Sequence, residues 1–594
     1  MKDYLLVNRS VSNIFPAGNP GFTRLHTTNN YILFSSTPII KTINRKTIFI
    51  LGYLLPRNTI FNQYKDCDKY SLVENLYNKY GRSFIDHIKG IFLIIIFEGD
   101  DIQIYTDHLG LSRSFYSVTG NRIVIGSSVN YLQKAGIKLE MDTVSLTMHS
   151  LFHRVPLKYT IYKSVYKTTY GSRILINDEG IVISKYWQPG ELIQKSSDHF
   201  ITEFSYFANL LRENIKNFNS FTAPSSSLIT LTGGKDSRTI LAALLNLGIR
   251  PLGFTYGNPR SRDAVFASRL AINAGLSHKI FNPDKTSKMF EESAKAIATI
   301  GNPEINIHRT IRALAFSEMA NFSDEKSAFY AGYLGGELMM GVYYDDLIFS
   351  RVLTNSWSTG ELKGIEPKLG LHFHNTLASS EVELIERISE MKCLNSMLDQ
   401  SLKTFFGIFE IGIPHYYQDI FLANKTWNYP YPAFIDLEFV ESIFQSRFSF
   451  LNRSLKSINL LSRYDLYELN MNIQHLLFSE LDNVMFGKRG SYSTREYLLG
   501  KFYWSAIKTV RYFTQFKNYP PSFSYNTEYI LFIRNYLNKI KQDHSSDMKH
   551  YFMIDEALKS LDESGPLTAE NQLHKYSNIV MFYLYENLIS KSDR

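Results

Sequence analysis

The feature that most constrains this chain is an apolar segment that leads into a glycine-rich turn and then into a helical pattern. Residues 227–231 have the composition of a buried strand, and residues 232–237 form the turn Thr-Gly-Gly-Lys-Asp-Ser. Residues 238–247 space their apolar side chains as a helix does. This order predicts an α/β domain with a parallel sheet. Further strand patterns in the same part of the chain lie at 252–256, 279–281 and 328–331.

The chemistry of the turn predicts a phosphate ligand. Gly233 and Gly234 allow the backbone to approach an anion closely and to point N–H groups at it. The dipole of the following helix adds attraction, and the Ser237 hydroxyl can donate to the same phosphate. Asp236 would repel phosphate unless a cation such as Mg²⁺ lies between them, so Asp236 is a candidate metal ligand. The turn lacks the Gly-x-x-x-x-Gly-Lys-Ser/Thr spacing, which indicates a different kind of phosphate loop.

Residues 232–237 resemble the PP-loop of ATP pyrophosphatases, whose pattern is (Ser/Thr)-Gly-Gly-x-Asp-Ser. Proteins with this loop hold the β,γ-pyrophosphate of ATP while the α-phosphate is transferred to an acceptor oxygen. The resemblance implies ATP and Mg²⁺ as cofactors. It also implies that the loop residues bind the nucleotide, namely Thr232, Gly233, Gly234, Asp236 and Ser237.

The residues that follow the loop are similar in their order to the asparagine synthetase family. In that family the second strand of the sheet supplies contacts to adenine and ribose. The resemblance therefore implies nucleotide-binding roles for Phe254, Thr255 and Gly257.

Residues 330–341 resemble a second motif of that family, Ser-Gly-Glu-Gly-Ala-Asp-Glu-Leu-Phe-Gly-Gly-Tyr, and Gly332 keeps its first glycine as an implied nucleotide contact. Gly336 replaces the aspartate that binds magnesium, which leaves Glu337 as the carboxylate that could take its place. Tyr333 replaces a glutamate, as in β-lactam synthetase, where the tyrosine is the general base for the attacking amine. Because a free tyrosine has a pKa of about 10, this role requires a neighbouring charge that lowers the pKa.

Two later segments extend the resemblance. Residues 487–490 are similar to a Lys-x-Gly element whose lysine stabilises charge on the acyl-adenylate and pyrophosphate, which implies a catalytic role for Lys488. Residues 429–436 resemble a Pro-Phe-x-Asp stretch that closes the active-site cleft of the family. Lys235 and Arg238 flank the glycine turn, where each could contact phosphate or face water.

The N-terminal part of the chain has a different pattern of apolar and turn residues. Short β-branched and aromatic runs are separated by Gly, Asn or Asp turns, which predicts a β-rich domain with hairpins at 99–101 and 177–180. Its motifs follow the class II glutamine amidotransferase domain in order. The resemblance implies an α+β, Ntn-hydrolase-like sandwich of antiparallel sheets. The predicted strand runs are 31–34, 47–51, 91–97, 102–105, 122–125, 172–176 and 180–183.

One position affects the source of nitrogen. Glutaminases of this type need a cysteine directly after the initiator Met, and here that position holds Lys2, while Cys67 is interior. We therefore expect no glutamine hydrolysis. The amine would come from another molecule or from the substrate itself, as in β-lactam synthetases and lasso-peptide macrolactam cyclases, which this architecture resembles.

The changes in residue pattern along the sequence predict that the chain has three structural parts. Residues 1–193 are expected to form the amidotransferase-like domain without glutaminase activity, and residues 200–515 the asparagine synthetase-like PP-loop ATP-binding domain. Residues 516–594 are expected to be a helical C-terminal extension appended to the second domain.

The composition of the chain limits the kinds of binding partner and site that the sequence predicts. The 64 Lys and Arg against 56 Asp and Glu give a net charge of +8 over 594 residues, which does not indicate a nucleic-acid partner. Two distant cysteines indicate neither a disulfide framework nor a zinc cluster. Because no segment is long enough to be a signal peptide or to span a bilayer, we expect a cytoplasmic protein with no membrane association. A homodimer is compatible with the sequence.

Together these patterns favour an ATP-dependent amide ligase that adenylates a small-molecule or peptide carboxylate, releases pyrophosphate and joins the acyl group to an amine. The reaction could be intermolecular or could close a lactam or macrolactam ring. Two alternatives stay open at this point: a PP-loop enzyme that modifies tRNA, and a non-catalytic nucleotide-binding scaffold.

Overall fold

The structure is a computed structural model of the 594-residue chain. It describes residues 3–9, 22–37, 39–43, 46–120, 122–152, 154–190, 192, 201–282, 286–306, 309–340, 381–390, 407–449, 460–487, 491–514, 519, 527–546, 548, 552–563 and 576–587. Within these ranges, no helix combines the length and the apolar character that a membrane crossing requires.

The first domain is a sandwich of antiparallel sheets. Its strands are β1 (Tyr4–Asn8), β2 (Thr23–Thr27), β3 (Tyr31–Ser35), β4 (Lys41–Ile43), β5 (Lys46–Pro56), β6 (Ile88–Glu98), β7 (Asp101–Thr106), β8 (Phe115–Thr119), β9 (Arg122–Gly126), β10 (Tyr166–Lys167), β11 (Ser172–Asn177) and β12 (Gly180–Lys185). One sheet has the order β10-β8-β9-β1-β3-β2 and the other β12-β11-β7-β6-β5-β4. Side chains from both sheets, among them Leu33 and Ile95, form a shared core. The predicted Ntn-hydrolase-like arrangement of sheets is therefore what the structure has.

Helices cover the outer faces of this sandwich, namely α1 (Phe61–Tyr64), α2 (Lys69–Tyr80), α3 (Val129–Lys134) and α4 (Thr143–Phe152). Leu72 and Leu76 of α2 pack on Ile94 and Ile96 of β6. Because β6 is covered on both faces, its sequence is a continuous apolar run and not an alternating one. All of the strand runs predicted between residues 29 and 190 are confirmed, and so are both hairpins.

The second domain contains a parallel sheet. Its strands are β13 (Ser227–Thr230), β14 (Leu252–Tyr256), β15 (His278–Phe281), β16 (Ala328–Tyr330) and β17 (Tyr429–Tyr431). Their order is β15-β14-β13-β16-β17, and every pair is parallel. The first four strands were predicted and are confirmed. β17 was not predicted, because Pro430 at its centre lacks an N–H group and is compatible only with the edge position that β17 occupies.

Helices surround this sheet and continue to the end of the described chain. The α-helices are α5 (Phe204–Thr222), α6 (Asp236–Asn246), α7 (Arg262–Asn273), α8 (Ser287–Thr299), α9 (Thr310–Met319), α10 (Glu337–Met340), α11 (Glu381–Glu390), α12 (Ile413–Thr426), α13 (Leu437–Phe444), α14 (Leu460–Phe478), α15 (Thr494–Leu498), α16 (Lys501–Thr514), α17 (Thr527–Gln542), α18 (Ile554–Glu563) and α19 (576–587). Shorter helical turns are Asn58–Ile60, Gly81–His87, Ala320–Phe322, Gly407–Gly412, Ala433–Ile435 and Ser479–Leu481.

The last helices bridge the two domains. α17, α18 and α19 share an apolar core with β1, β3 and α4 of the first domain. The ring of Phe582 lies 5.0 Å from that of His149 in α4, measured between centroids. On the other side, the Tyr585 hydroxyl donates to the main-chain oxygen of Asn302 at 2.6 Å. The expectation that this extension is appended to the second domain alone was therefore too narrow.

Candidate active site

The glycine turn connects β13 to α6 and is fixed by its own side chains. The main-chain nitrogen of Gly234 donates to Thr232 Oγ1 at 3.1 Å. The main-chain nitrogen of Thr232 lies 3.3 Å from Ser237 Oγ and donates to it. Because the first residues of a helix carry N–H groups without partners inside the helix, the turn and the start of α6 offer donors to an anion.

A glycine from the segment before Lys488 lies against this turn. The main-chain nitrogen of Gly487 donates to Gly233 O at 2.8 Å. A Cβ atom added to Gly233 would lie 2.8 Å from Gly487 Cα, so neither position has room for a side chain. Lys488 itself lies outside the described residues, and the structure brings its neighbour in the sequence to the turn.

The second predicted motif also reaches the start of α6. A Cβ atom added to Gly332 would lie 2.7 Å from the main-chain nitrogen of Ser237, and one added to Gly335 would lie 3.0 Å from Asp236 Cβ. Leu334, between these glycines, has a φ of 67°, in the left-handed region that allows the tight turn. The two motifs are far apart in the chain and in contact in the fold.

Two carboxylates face this junction. The side-chain nitrogen of Asn470, in α14, donates to Asp236 Oδ1 at 2.9 Å. The Tyr416 hydroxyl, in α12, donates to Glu337 Oε1 at 2.6 Å. Burial raises the pKa of Tyr416, and the negative charges of Glu337 and Asp236 raise it further, which places both carboxylates near one phenol.

This donor set fits a magnesium nucleotide. Mg²⁺ usually takes one or two carboxylates from a protein and completes its shell with phosphate oxygens and water. Asp236 and Glu337 could supply these two carboxylates. No group of three or more His, Cys, Asp or Glu side chains in the described ranges could hold a metal without a ligand's help.

Tyr333 lies beside these carboxylates and is buried. Its ring stacks on that of Tyr416, with centroids 4.9 Å apart and planes at 19°. Its hydroxyl has no hydrogen-bond partner within the described part of the chain. Burial raises the pKa of Tyr333, the phenol of Tyr256 adds to the increase, and Arg312 opposes it. The lowered pKa that a general base needs is therefore not present in this state.

Lys235 and Arg238 are both buried, which excludes a position facing water for either side chain. Lys235 is buried, with its ammonium 3.5 Å from the centre of the Tyr467 ring. Arg238 is fully buried and donates to the main-chain oxygens of Val484 and, at 2.8 Å, Met485. Burial lowers the pKa of the Arg238 guanidinium to about 9. Arg238 therefore neither contacts a phosphate site nor faces water, and instead anchors the segment that leads to Gly487.

The predicted adenine and ribose contacts lie at the end of β14. The Phe254 side chain is buried and stacks on Phe329, with centroids 5.9 Å apart. Thr255 Oγ1 donates to Leu231 O at 2.7 Å. Gly257 has a φ of 116° and donates its N–H to a neighbouring strand. The side chains of Phe254 and Thr255 thus serve the fold, so nucleotide contacts here would come from the main chain.

Several residues of the site were not predicted. Asn470 and Tyr416 hold the two carboxylates, and each comes from a helix with no recognisable motif. Arg312 forms an ion pair with the fully buried Asp419, and its guanidinium lies 5.7 Å from the centre of the Tyr256 ring. Their partners are distant in the sequence, so spacing alone carried no signal for them.

Comparison with known proteins concerns mainly the first domain. A family model described as a glutamine amidotransferase domain matches residues 56–187, which lie within the antiparallel sandwich. No curated protein matches the chain. The match shows that this part of the chain is similar to glutamine amidotransferase domains.

Two solved structures are distantly similar. One is a structure of the allosteric regulatory enzyme of purine biosynthesis, with 11% identity, 47% of this chain and 74% of that chain covered, and a TM-score of 0.22. The other is glutamine phosphoribosylpyrophosphate amidotransferase from B. subtilis in complex with ADP and GMP, with 11% identity, 68% and 90% covered, and a TM-score of 0.22. At these scores neither supports an inference. The family model thus relates the first domain to glutamine amidotransferases and matches no residue of the parallel-sheet domain.

Proposed function

We propose that this chain is an ATP-dependent amide ligase of the asparagine synthetase type, which adenylates a substrate carboxylate and passes the acyl group to an amine. The observation that carries the proposal is the convergence of distant segments on the glycine turn. Gly332 and Gly335 pack on the start of α6, Gly487 binds Gly233, and Asn470 holds Asp236. A plain structural turn between a strand and a helix needs none of these contacts.

In the proposed complex, the pyrophosphate end of ATP lies on the turn. The Gly233 N–H and the Ser237 hydroxyl would bind its oxygens, the Gly234 N–H would do so on leaving Thr232 Oγ1, and the main chain near Gly257 would face the nucleoside. Asp236 and Glu337 would hold Mg²⁺, which neutralises phosphate charge when it is bound. Tyr416 keeps the Glu337 carboxylate oriented through its 2.6 Å hydrogen bond.

The reaction then has two steps. A carboxylate oxygen of the substrate attacks the α-phosphorus, the bond to the β,γ-pyrophosphate breaks, and an acyl-adenylate forms. The amine attacks the acyl carbon, loses a proton and displaces AMP. Holding the amine and the acyl carbon together removes much of the entropic barrier. Lys488, next to Gly487, would stabilise the negative charge that develops on the phosphates.

Tyr333 would act on the amine only after the substrate changes its environment. As a buried phenol with a raised pKa, it is protonated at neutral pH and can donate a hydrogen bond. A bound cation or ammonium beside it would lower the pKa again and allow it to accept the proton of the amine.

We also propose that the amine does not come from glutamine. Cys67 lies in the turn before α2, where its main-chain nitrogen donates to Tyr64 O at 3.0 Å. This nitrogen is part of a peptide bond, so Cys67 cannot use its own α-amino group as a base for a glutaminase reaction. The proposed substrate is a small-molecule or peptide carboxylate, with the amine either on the same molecule or on a second one.

The test is calorimetry of Mg·ATP binding, together with ATP–pyrophosphate exchange in the presence of candidate carboxylates. Asp236→Ala should weaken Mg·ATP binding by about tenfold or more and abolish exchange, because the carboxylate for the metal is lost. Asp465→Ala, which removes a carboxylate paired with Lys501 on the surface of α14, is the matched control and should change neither. Absence of Mg·ATP binding by the folded wild-type protein would contradict the proposal.

A second candidate is a nucleotide-binding scaffold without catalysis. The raised pKa of Tyr333 and the glycine at position 336 favour it, because both remove groups that the reaction uses elsewhere in the family. Such a scaffold would bind Mg·ATP and release no pyrophosphate with any carboxylate and amine. Pyrophosphate release therefore separates the two candidates.

A further inference from the structure

We propose that Lys89 of the first domain is a positioning residue for the nucleotide site of the second domain. It acts through Asp436 and the helical turn Ala433–Ile435. The inference rests on the proposed function, because it concerns the same site, and it gives the first domain a role that does not require glutamine hydrolysis.

Lys89 crosses the domain boundary as a buried cation. Its side chain, at the start of β6, is 1% exposed. Its ammonium lies 3.1 Å from Asp436 Oδ2 and 2.5 Å from Glu438 Oε2. It also donates to Asn214 Oδ1, in α5, at 2.8 Å. All three acceptors belong to the second domain, so one first-domain side chain neutralises a buried and a partly buried carboxylate of that domain.

Asp436 connects the Lys89 contact to the main chain around it and fixes the position of that main chain. It is the N-cap of α13, and its Oδ1 accepts the main-chain N–H of Glu438 at 3.1 Å. Its Oδ2 accepts the Tyr431 hydroxyl, from β17, at 2.9 Å. The carboxylate therefore ties the edge strand of the sheet to the start of the next helix, and the Ala433–Ile435 turn is held between these two points.

The turn presents Phe434 to the active site. Phe434 is fully buried, and a Cβ atom added to Gly335 would lie 2.7 Å from its ring. The same added atom would lie 3.0 Å from Asp236 Cβ, so Gly335 is held between the Phe434 ring and the metal-ligand candidate. A shift of Phe434 would move the 332–337 segment, including Glu337, relative to α6.

Loss of the Lys89 ammonium would leave the buried Asp436 and the partly buried Glu438 without the cation that neutralises them. Such pairs respond by protonation or by moving apart, and either response releases the N-cap of α13. Phe434 would then lose its fixed position. The expected effect on the site is weaker Mg·ATP binding, because the two carboxylates no longer converge.

The first experiment compares two buried lysines of the first domain. Lys167 is also 1% exposed and pairs with Glu304 of the second domain at 2.7 Å, and the Lys167–Glu304 contact includes no residue of the glycine turn. Lys89→Met and Lys167→Met should both lower the midpoint of thermal unfolding, since each removes a buried cation from a carboxylate, although Glu304 keeps its 2.6 Å pair with Arg113. Lys89→Met should weaken Mg·ATP binding by about tenfold in calorimetry, and Lys167→Met by less than about twofold.

The second experiment uses milder changes and decides the question if Lys89→Met does not fold. Asp436→Asn and Glu438→Gln each neutralise one acceptor of Lys89 and keep its shape. We expect Asp436→Asn to weaken Mg·ATP binding by about fivefold or more and Glu438→Gln to leave it nearly unchanged, because both Asp436 oxygens accept hydrogen bonds, from the Glu438 N–H and the Tyr431 hydroxyl, and an amide nitrogen cannot accept either.

The outcomes separate this inference from the proposed function. A folded wild-type protein that binds no Mg·ATP contradicts the proposed function. Wild-type binding with equal affinity in Lys89→Met and Asp436→Asn, or equal losses in Lys89→Met and Lys167→Met, overturns the positioning role and leaves the proposed function intact.

Discussion

Asn470 donates a hydrogen bond to Asp236 from a position 234 residues further along the chain. The amide comes from the middle of α14, and the carboxylate stands at the first residue of α6. The Oδ1 atom of Asn470 is buried and has no partner within the described residues. Asn470 is thus held by one bond to the candidate metal ligand, and its role can be tested by truncation.

We expect Asn470→Ala to weaken Mg·ATP binding by roughly tenfold, because a hydrogen bond to a charged group contributes about 1.5–3 kcal/mol. Calorimetry measures the affinity. Asn472→Ala is the matched control, since Asn472 lies on the same helix and donates to the main-chain oxygen of Glu468 at 2.8 Å. Equal affinities of wild type and Asn470→Ala would show that Asp236 needs no such support.

Gly487→Ala should destabilise the protein by about 1–3 kcal/mol, because the added methyl group would overlap the backbone of the glycine turn. The Cβ atom would lie 2.9 Å from Gly233 Cα. We also expect weaker Mg·ATP binding, since the turn must move to relieve the overlap. Gly190→Ala, where nothing lies within 4 Å of the added atom, should change neither quantity. Chemical denaturation and calorimetry give the two measurements.

The buried carboxyl group of Asp107 should make the free energy of unfolding depend on pH. Burial raises the pKa of its carboxyl to about 7, against the N–H groups of Leu109, Leu111 and Ser112 that favour the charged form. Because the folded pKa lies above the unfolded value of about 4, the folded state binds more protons between these two values. The Asp107 contribution therefore makes stability fall as pH rises from about 4 to about 7, by up to about 1.4 kcal/mol per pH unit.

Asp107→Asn should remove this slope, because the amide does not titrate. Denaturation midpoints at pH 5 and pH 7 compare the two proteins. The difference between wild type and Asp107→Asn should change with pH in this window, and a constant difference would show that the carboxyl is charged throughout.

Tyr585→Phe should lower the free energy of unfolding by about 1 kcal/mol, because it removes one of the two hydrogen bonds that the Asn302 carbonyl accepts, the other coming from the Ile305 N–H at 3.1 Å. The Tyr585 hydroxyl binds the main-chain oxygen of Asn302, which joins α19 to the second domain. Tyr503→Phe, on the exposed face of α16, is the control and should have no measurable effect. An equally small effect of both changes would indicate that α19 is held by its apolar contacts alone.

The sequence allowed prediction of local structure where local chemistry decides it. β13 to β16 are short apolar runs between turns, and the residue types at 232–237 predict phosphate binding. The partners Asn470, Tyr416 and Lys89 could not be predicted, because each acts through a contact that only the packing of distant elements creates. Arg238 shows the opposite case. It lies beside the turn in the sequence, but packing directs its side chain away from the turn.

The helices at the end of the described chain complete the apolar core of the first domain. Leu5 and Val7 of β1 share their apolar cluster with Ile579, Val580 and Phe582 of α19. During synthesis, α3 and α4 can cover only part of this face of the sheet, and the rest stays open to water until some 570 further residues have left the ribosome, at least about half a minute at roughly 5–20 residues per second. The nascent protein therefore exposes an apolar surface that chaperones can bind during most of its translation.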